Sequence, residues 1–282
     1  MSPAMRASAA VLGSPIAHSL SPVLHMAAYR ELGLDWEYHA VECPAGGLAS
    51  LLRTGAGQQW LGASVTMPLK QEALDFADRA TELAVRVGGA NTLVRSRGQW
   101  HADNTDVGGV IGALGEVGVH RVESACIVGA GATAAAALAA VHGLGATAPE
   151  AITVLVRNQN RASELVEAAW RMGASVRVRS LDEAAHCLDV DVVVSTVPAG
   201  AADAHAETVA ASGVPVLDVV YAPWPTTLAT AVTTAGGTVV GGFSVLLHQA
   251  VLQVVQMTGC AQAPVVAMRA AGEAELRRRA AT

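Results

Sequence analysis

The chain has 282 residues, 52% of them hydrophobic and 15% charged, with a formal net charge of −6. That length allows one large domain or two medium ones, and that composition describes a packed globular protein rather than a disordered one. The arginines are scattered and build no basic face for nucleic acid, and no apolar run reaches the roughly 18 residues that a membrane span needs.

The first fifteen residues, MSPAMRASAAVLGSP, hold a single Arg before Pro15 and no long apolar core, so they do not read as a signal peptide. Cys43, Cys126, Cys187 and Cys260 lie far apart with no C-x-x-C pair. Free thiols in a reducing cytoplasm are expected, with neither a zinc site nor a disulfide framework.

In chain order, Ala9–Leu12 is an apolar run closed by Gly13-Ser14-Pro15, which predicts a buried strand and a turn. Ser21-Pro22 opens a predicted helix to about Leu32, with Ser21 as N-cap and Pro22 at the first helical position. Trp36–Cys43 alternates as a strand, Trp60–Thr66 is an apolar strand stopped by Pro68, and Asn91–Arg95 is a further strand. From Ser124 the rhythm becomes stricter. Strands are predicted at Ala125–Val128, Ile152–Val156, Val176–Val178, Val190–Ser195 and Val214–Val220, with helices at Ala132–His142 and Arg161–Arg171. This β-α-β alternation implies a parallel sheet covered on both faces. Helices at Val245–Met257 and Pro264–Arg279 close the chain, with Arg277-Arg278-Arg279 expected as a solvated helix end. The expected class is α/β. One α/β domain covers 1–106 and is completed by the helices of 243–282. A doubly wound, Rossmann-type domain covers 107–242.

Gly129-Ala130-Gly131-Ala132-Thr133-Ala134 fits G-x-G-x-x-A between a strand and a helix. Glycines there let the backbone approach a pyrophosphate, whose charge meets a helix N-terminus. An NAD site places Asp or Glu at the end of the next strand for the ribose 2′-OH. Here that strand runs into Arg157-Asn158-Gln159-Asn160-Arg161, with no carboxylate. Guanidinium groups grip a 2′-phosphate that a carboxylate would repel, so NADP(H) is favoured over NAD(H). The bland readings are a tight βα turn without ligand and ordinary surface charge at a helix start.

Four polar stretches stand out before residue 107: Ser14–Pro22, Val65–Lys70, Gly89–Thr92 and Asp103–Asp106. Each falls where a strand should end or a helix begin, the usual place for α/β ligand groups. Hydroxyls, an amide, an ammonium and carboxylates suit a small, anionic, hydroxyl-rich ligand. Lys70 is the only lysine in the chain, against 17 arginines.

Taken in order, GSPIAHSLSP, SVTMPLK, GGANTLV, ADNTDVGG, VGAGATA, LDVVYAPWPT and LLHQAVLQ give the sequence a resemblance to the shikimate dehydrogenases over nearly its full length. The resemblance implies an N-terminal α/β domain for substrate, a Rossmann domain for NADP(H), and reversible reduction of 3-dehydroshikimate to shikimate. By that resemblance Ser19 and Ser21, helped by Tyr221, bind the substrate carboxylate. Thr66, Asn91 and Gln249 contact ring hydroxyls, and Lys70 with Asp106 forms the catalytic pair. Gly129, Ala130, Gly131, Ala132, Thr133, Arg157, Asn158, Arg161, Thr196, Val219 and Gly242 hold the cofactor. The sequence departs from the family pattern at Ser64, where Asn is common, at Val156 and Asn158, where Asn and Thr are common, at Val197-Pro198 and at Phe243-Ser244-Val245.

The resemblance also explains the lone lysine. Ketone reduction needs a proton for the developing alkoxide, which an ammonium can deliver and a guanidinium cannot. Lys70 could instead only orient the substrate, or be a surface residue at a helix start. Asp106, Ser19 and Ser21 could be helix caps, and His18 reads as a structural neighbour. The spacing of His101, Asp103 and Asp106 matches no divalent-metal loop, so no metal is expected. The Ser19/Ser21 pair points to shikimate rather than quinate, for which a related branch has Ser-x-Thr. Two other readings stay open: an NAD-preferring quinate/shikimate dehydrogenase, and a non-catalytic metabolite sensor. Monomer and homodimer are both compatible with the sequence.

Overall fold

Glycine and proline punctuation divides the apolar runs into strands short enough to stack side by side, and they assemble into two six-stranded sheets. The structure, a computed structural model, describes residues 6–281. Met1–Met5, on which the signal-peptide reading partly rests, lie outside the described residues. Two compact units result: one runs to Thr105 and resumes at Gln249, and the other spans Asp106–His248.

The first unit contains β1 (Ala7–Gly13), α1 (Ser21–Glu31), β2 (Trp36–Glu42), α2 (Leu48–Arg53), β3 (Trp60–Val65), α3 (Lys70–Phe76), β4 (Arg79–Ala80), α4 (Glu82–Val87), β5 (Thr92–Ser96) and β6 (Gln99–Asp103). Its sheet has the order β2-β1-β3-β5-β6-β4. β1 runs parallel to β2 and β3, whereas β5 is antiparallel to both β3 and β6. Leu12, Trp60, Leu69, Leu93 and Trp100 fill its core.

The second unit begins with α5 (Asp106–Glu116). It continues through β7 (Ala125–Val128), α6 (Ala132–Gly143), β8 (Ile152–Val156), α7 (Ser163–Met172), β9 (Val176–Ser180), β10 (Val192–Ser195), α8 (Ala206–Ala211), β11 (Val216–Asp218), α9 (Thr227–Thr234) and β12 (Val239–Gly241). Every strand pair is parallel, in the order β12-β11-β10-β7-β8-β9. The order reverses between β7 and β10, the place where open α/β sheets bind ligands beyond the carboxyl ends of their strands. The alanine-rich α6 buries Ala134 through Val141. α10 (Gly242–Thr258) starts in this unit and ends in the first one, which α11 (Val265–Ala280) completes.

Three local expectations need correction. Ser21 is not the N-cap of α1: Leu20 holds that position, and Ser21 is buried in the first turn. The chain folds back there, Ser19 N–H donating to the Ile16 carbonyl at 2.9 Å, so Ser19 Oγ is the oxygen that accepts from Ser21 N–H, at 3.2 Å. Arg161 lies in a 3-10 turn, Gln159–Ala162, ahead of α7, because the Asn158 side chain accepts from Asn160 N–H and tightens the chain. The arginine run near the C-terminus is only partly a solvated end. Arg279 donates to the carbonyls of His18 (2.7 Å) and Ser19 (3.4 Å) and pairs with Glu275 at 2.7 Å.

Candidate functional site

In the second unit a cavity of about 520 Å³ opens beyond the ends of β7 and β8. Val128, Gly129, Ala130, Gly131, Arg157, Asn158 and Arg161 are among its lining residues. Gly129 has φ +110°, and a Cβ there would lie 2.5 Å from Thr196 Oγ1, so glycine is required to close the turn. Thr196 is itself fixed, its hydroxyl and N–H both donating to the Val128 carbonyl at 2.8 Å. Gly131 differs: nothing lies within 4 Å of its would-be Cβ, and it caps α6, whose first residues are Ala132 and Thr133. That open face before a helix N-terminus is the shape a pyrophosphate needs. Two guanidinium-bearing residues and no Asp or Glu line the cavity, so its donor set fits a phosphorylated ribose.

Beside it, Val219 N–H donates to the Ser195 carbonyl at 3.0 Å. A Cβ on Gly242 would fall 1.8 Å from the Val219 carbonyl oxygen, so α10 can start this close only on glycine. The loop carrying Tyr221 is pinned by Asp218, which accepts from Thr226 Oγ1 (2.7 Å) and Val220 N–H (3.3 Å). Burial raises the Asp218 carboxyl above its ordinary range, and those two bonds oppose the rise.

In the first unit the four polar stretches meet at one end of the sheet. Ser14 N–H donates to the Met67 carbonyl (3.0 Å), Thr66 N–H to Leu12 (2.9 Å), Val65 N–H to Asn91 (2.7 Å), and Asn91 N–H to Asp103 (3.1 Å). Lys70 is the first residue of α3, and its carbonyl accepts from Ala90 N–H at 2.8 Å. Gly89 lets this turn lie against the Lys70 backbone, a Cβ there standing 3.3 Å from Lys70 Cβ. Asn104 Nδ2 donates to the Gly89 carbonyl at 2.8 Å. Asn91 is 2% exposed, and its Oδ1 accepts from Thr105 N–H at 2.7 Å while its Nδ2 donates to Gln249 Oε1 at 3.2 Å. Asp106 follows Thr105 directly, as the first residue of α5 rather than the residue before it.

Asp103 is fully engaged in structure. Thr81 Oγ1 (2.6 Å), Asn104 N–H (2.8 Å) and Gln256 Nε2 (2.6 Å) all donate to it. Among the described residues no cluster of His, Cys, Asp or Glu could hold a metal.

Sequence reasoning missed the buried support of this cluster. His25 stacks on Tyr38 with ring centroids 4.0 Å apart and donates from Nδ1 to the Ser21 carbonyl at 2.9 Å. Desolvation drives its pKa down to about 4, so the ring is neutral. Burial likewise raises the Tyr38 hydroxyl well above its usual value, so it remains a donor, here to Ser64 Oγ at 2.5 Å. Gln253, one turn after Gln249, joins the same group through Ser64 and Asn91. The Q-x-x-x-Q spacing in a predicted helix was the one available signal for it.

Comparison with known proteins follows the same division. Residues 11–93 match the family model described as shikimate dehydrogenase substrate binding domain, and 113–213 match shikimate / quinate 5-dehydrogenase. The shikimate dehydrogenase (NADP(+)) of Salinibacter ruber is 36% identical over 270 residues, covering 90% of this chain and 94% of that one. The crystal structure of Mycobacterium tuberculosis shikimate dehydrogenase superposes with a TM-score of 0.86 at 48% identity, covering 95% of this chain and 99% of that one. A Thermus thermophilus shikimate 5-dehydrogenase solved with NADP(H) and shikimate gives a TM-score of 0.79 at 28% identity, covering 95% and 98%. With a mixed sheet that gathers hydroxyls and amides at one end, a parallel sheet that ends in a glycine turn, and near-complete overlap with these relatives, the chain belongs to the shikimate dehydrogenase family.

Proposed function

We propose that the protein catalyses the NADP-dependent, reversible reduction of 3-dehydroshikimate to shikimate on the route to aromatic amino acids. The observation that carries this reading is the meeting of four separate polar stretches at one end of the first sheet, around the buried Asn91. Such a cluster suits a ring bearing several hydroxyls. The NADP(+)-dependent relatives and the arginine-lined cavity support the choice of cofactor.

The 1–105 and 249–282 unit serves the substrate, and the 106–248 unit serves the cofactor. Ser19, Ser21 and Tyr221 bind the substrate carboxylate, while Thr66, Asn91 and Gln249 bind ring hydroxyls. Gly129, Ala130, Gly131, Ala132 and Thr133 receive the pyrophosphate on backbone N–H groups. Arg157, Asn158 and Arg161 meet the adenosine ribose and its 2′-phosphate. Thr196, Val219 and Gly242 border the nicotinamide. When bound, the reduced nicotinamide supplies the hydride. Lys70 gives a proton to the forming alkoxide, with Asp106 as its acid–base partner, and takes it back in the oxidation direction.

Four cysteines without disulfides fit a reducing cytoplasm, and no helix among the described residues is long and apolar enough to cross a membrane. The solution mass decides between monomer and homodimer. The direct test is absorbance of reduced nicotinamide on mixing protein, shikimate and NADP⁺. Growth of that signal is expected. Faster oxidation of quinate with NAD⁺ would replace this reading with the quinate branch, and ligand binding without any turnover would replace it with a sensor.

A further inference from the structure

Gln253 is 1% exposed and sits one turn after Gln249 on α10, so the two amides address the same side of the helix. Its Nε2 donates to the Asn91 carbonyl and to Thr92 Oγ1, each at 3.1 Å. Its Oε1 accepts from Ser64 Oγ at 2.6 Å. A backbone carbonyl can only accept, so the Gln253 amide fits one way round. That sense commits the Ser64 proton to Gln253, and hence the Tyr38 proton to Ser64.

The chain of commitments continues toward the ligand groups. Thr92 Oγ1, its oxygen approached by Gln253, donates to Asn91 Oδ1 at 2.9 Å. Thr105 N–H reaches the same Oδ1 at 2.7 Å, and a backbone N–H can only donate. The Asn91 oxygen therefore points into this cluster, and Nδ2 points to Gln249 Oε1. Gln249 is fixed in turn, oxygen toward Asn91.

We propose that Gln253, oriented by Ser64 and Tyr38, is a positioning residue that locks the Asn91 main chain and the Thr92 hydroxyl in place, and so sets where the Asn91 and Gln249 amides, whose sense follows from the Thr105 N–H, stand against the substrate hydroxyls. The proposal rests on the reading that Asn91 and Gln249 contact substrate. It gives Ser64, where the family pattern commonly has Asn, a part in that lock.

The test compares the two Michaelis constants. Gln253→Met keeps the side-chain length while removing every polar atom. The KM for shikimate is expected to rise about tenfold, with the KM for NADP⁺ unchanged within about twofold and kcat changing less than the shikimate KM. Ser64→Ala removes one donor and is expected to raise the shikimate KM about threefold, again alone. A merely structural role would raise both KM values together and lower the melting temperature in step. Equal rises, or a shikimate KM that stays at the parent value, overturn the proposal. Should Gln253→Met not fold, Ser64→Ala decides. A parent protein that does not oxidise shikimate sinks the substrate reading, and this proposal with it. An active parent with unmoved variants sinks this proposal alone.

Discussion

The two units build and support their proposed ligand sites from different materials. The second unit uses backbone: Gly129, Gly131 and the first turn of α6, with arginines from the end of the next strand close by in sequence. The first unit uses side chains gathered from Tyr38 to Gln253, each holding the next by a hydrogen bond. A backbone site fails by steric intrusion and tolerates any change that leaves the main chain in place. A side-chain site fails when polarity is lost, even where shape is kept. Substitutions that separate these two failure modes test the comparison.

The largest effect belongs to the first unit. Lys70→Met keeps the stem of the side chain and removes the ammonium, and kcat is expected to fall about 10²–10⁴-fold, the range for loss of a general acid. The shikimate KM should move far less. A variant that keeps kcat and loses only affinity would make Lys70 a binding residue.

The glycines come next, and they should part company. Gly129→Ala must adopt φ +110° and place a Cβ 2.5 Å from Thr196 Oγ1, so both the melting temperature and NADP⁺ binding should drop. Gly131→Ala has room, with nothing within 4 Å, and in the proposed function its Cβ would stand in the path of the pyrophosphate. Its melting temperature should match the parent, while the KM for NADP⁺ rises about tenfold or more. An unchanged KM for Gly131→Ala would place the phosphate elsewhere.

Arg157→Ala and Arg161→Ala should each cost about tenfold in NADP⁺ affinity, as loss of a charge-assisted bond to phosphate does, and leave NAD⁺ affinity alone. Equal losses with both cofactors would show that the arginines only shape the cavity.

The same contrast explains what could be read in the sequence. Ala125–Val128, Gly129–Ala134 and the Ala132–His142 helix are one local pattern, and the structure places β7, the turn and α6 there. The end of β8 and its two arginines followed from the same local grammar. Short elements such as α2, α3, α4 and β4 left too few residues for a period to emerge. The Ser21 cap failed because the loop before α1 folds back onto Ile16, a bond no propensity encodes. The support around Asn91 was hidden for another reason: Ser64 and Gln253 lie 189 residues apart, and nothing in either neighbourhood announces the other.

His25 offers the smallest effect, and its sign can be worked out. Buried against Tyr38, its pKa falls from 6.5 to about 4 in the folded protein. Below pH 6.5 the unfolded chain therefore takes up a proton that the folded ring refuses, and folding stability falls with pH through that window. The stabilisation is complete above about pH 6.5 and, over the full shift, is worth on the order of 3 kcal/mol. Glu275, held down to about 2 by Arg278 and Arg279, loses its own contribution only as pH drops below the ordinary 4.5. Asp218, raised by burial, also bears on stability toward acid, so His25 is read out against a variant that lacks its ring. His25→Gln keeps a donor for the Ser21 carbonyl, so the difference between variant and parent isolates the proton. The parent should lose stability toward pH 5 and the variant should lose less. Parallel curves would mean that the ring takes up its proton without unfolding, and that the stack on Tyr38 is open to water.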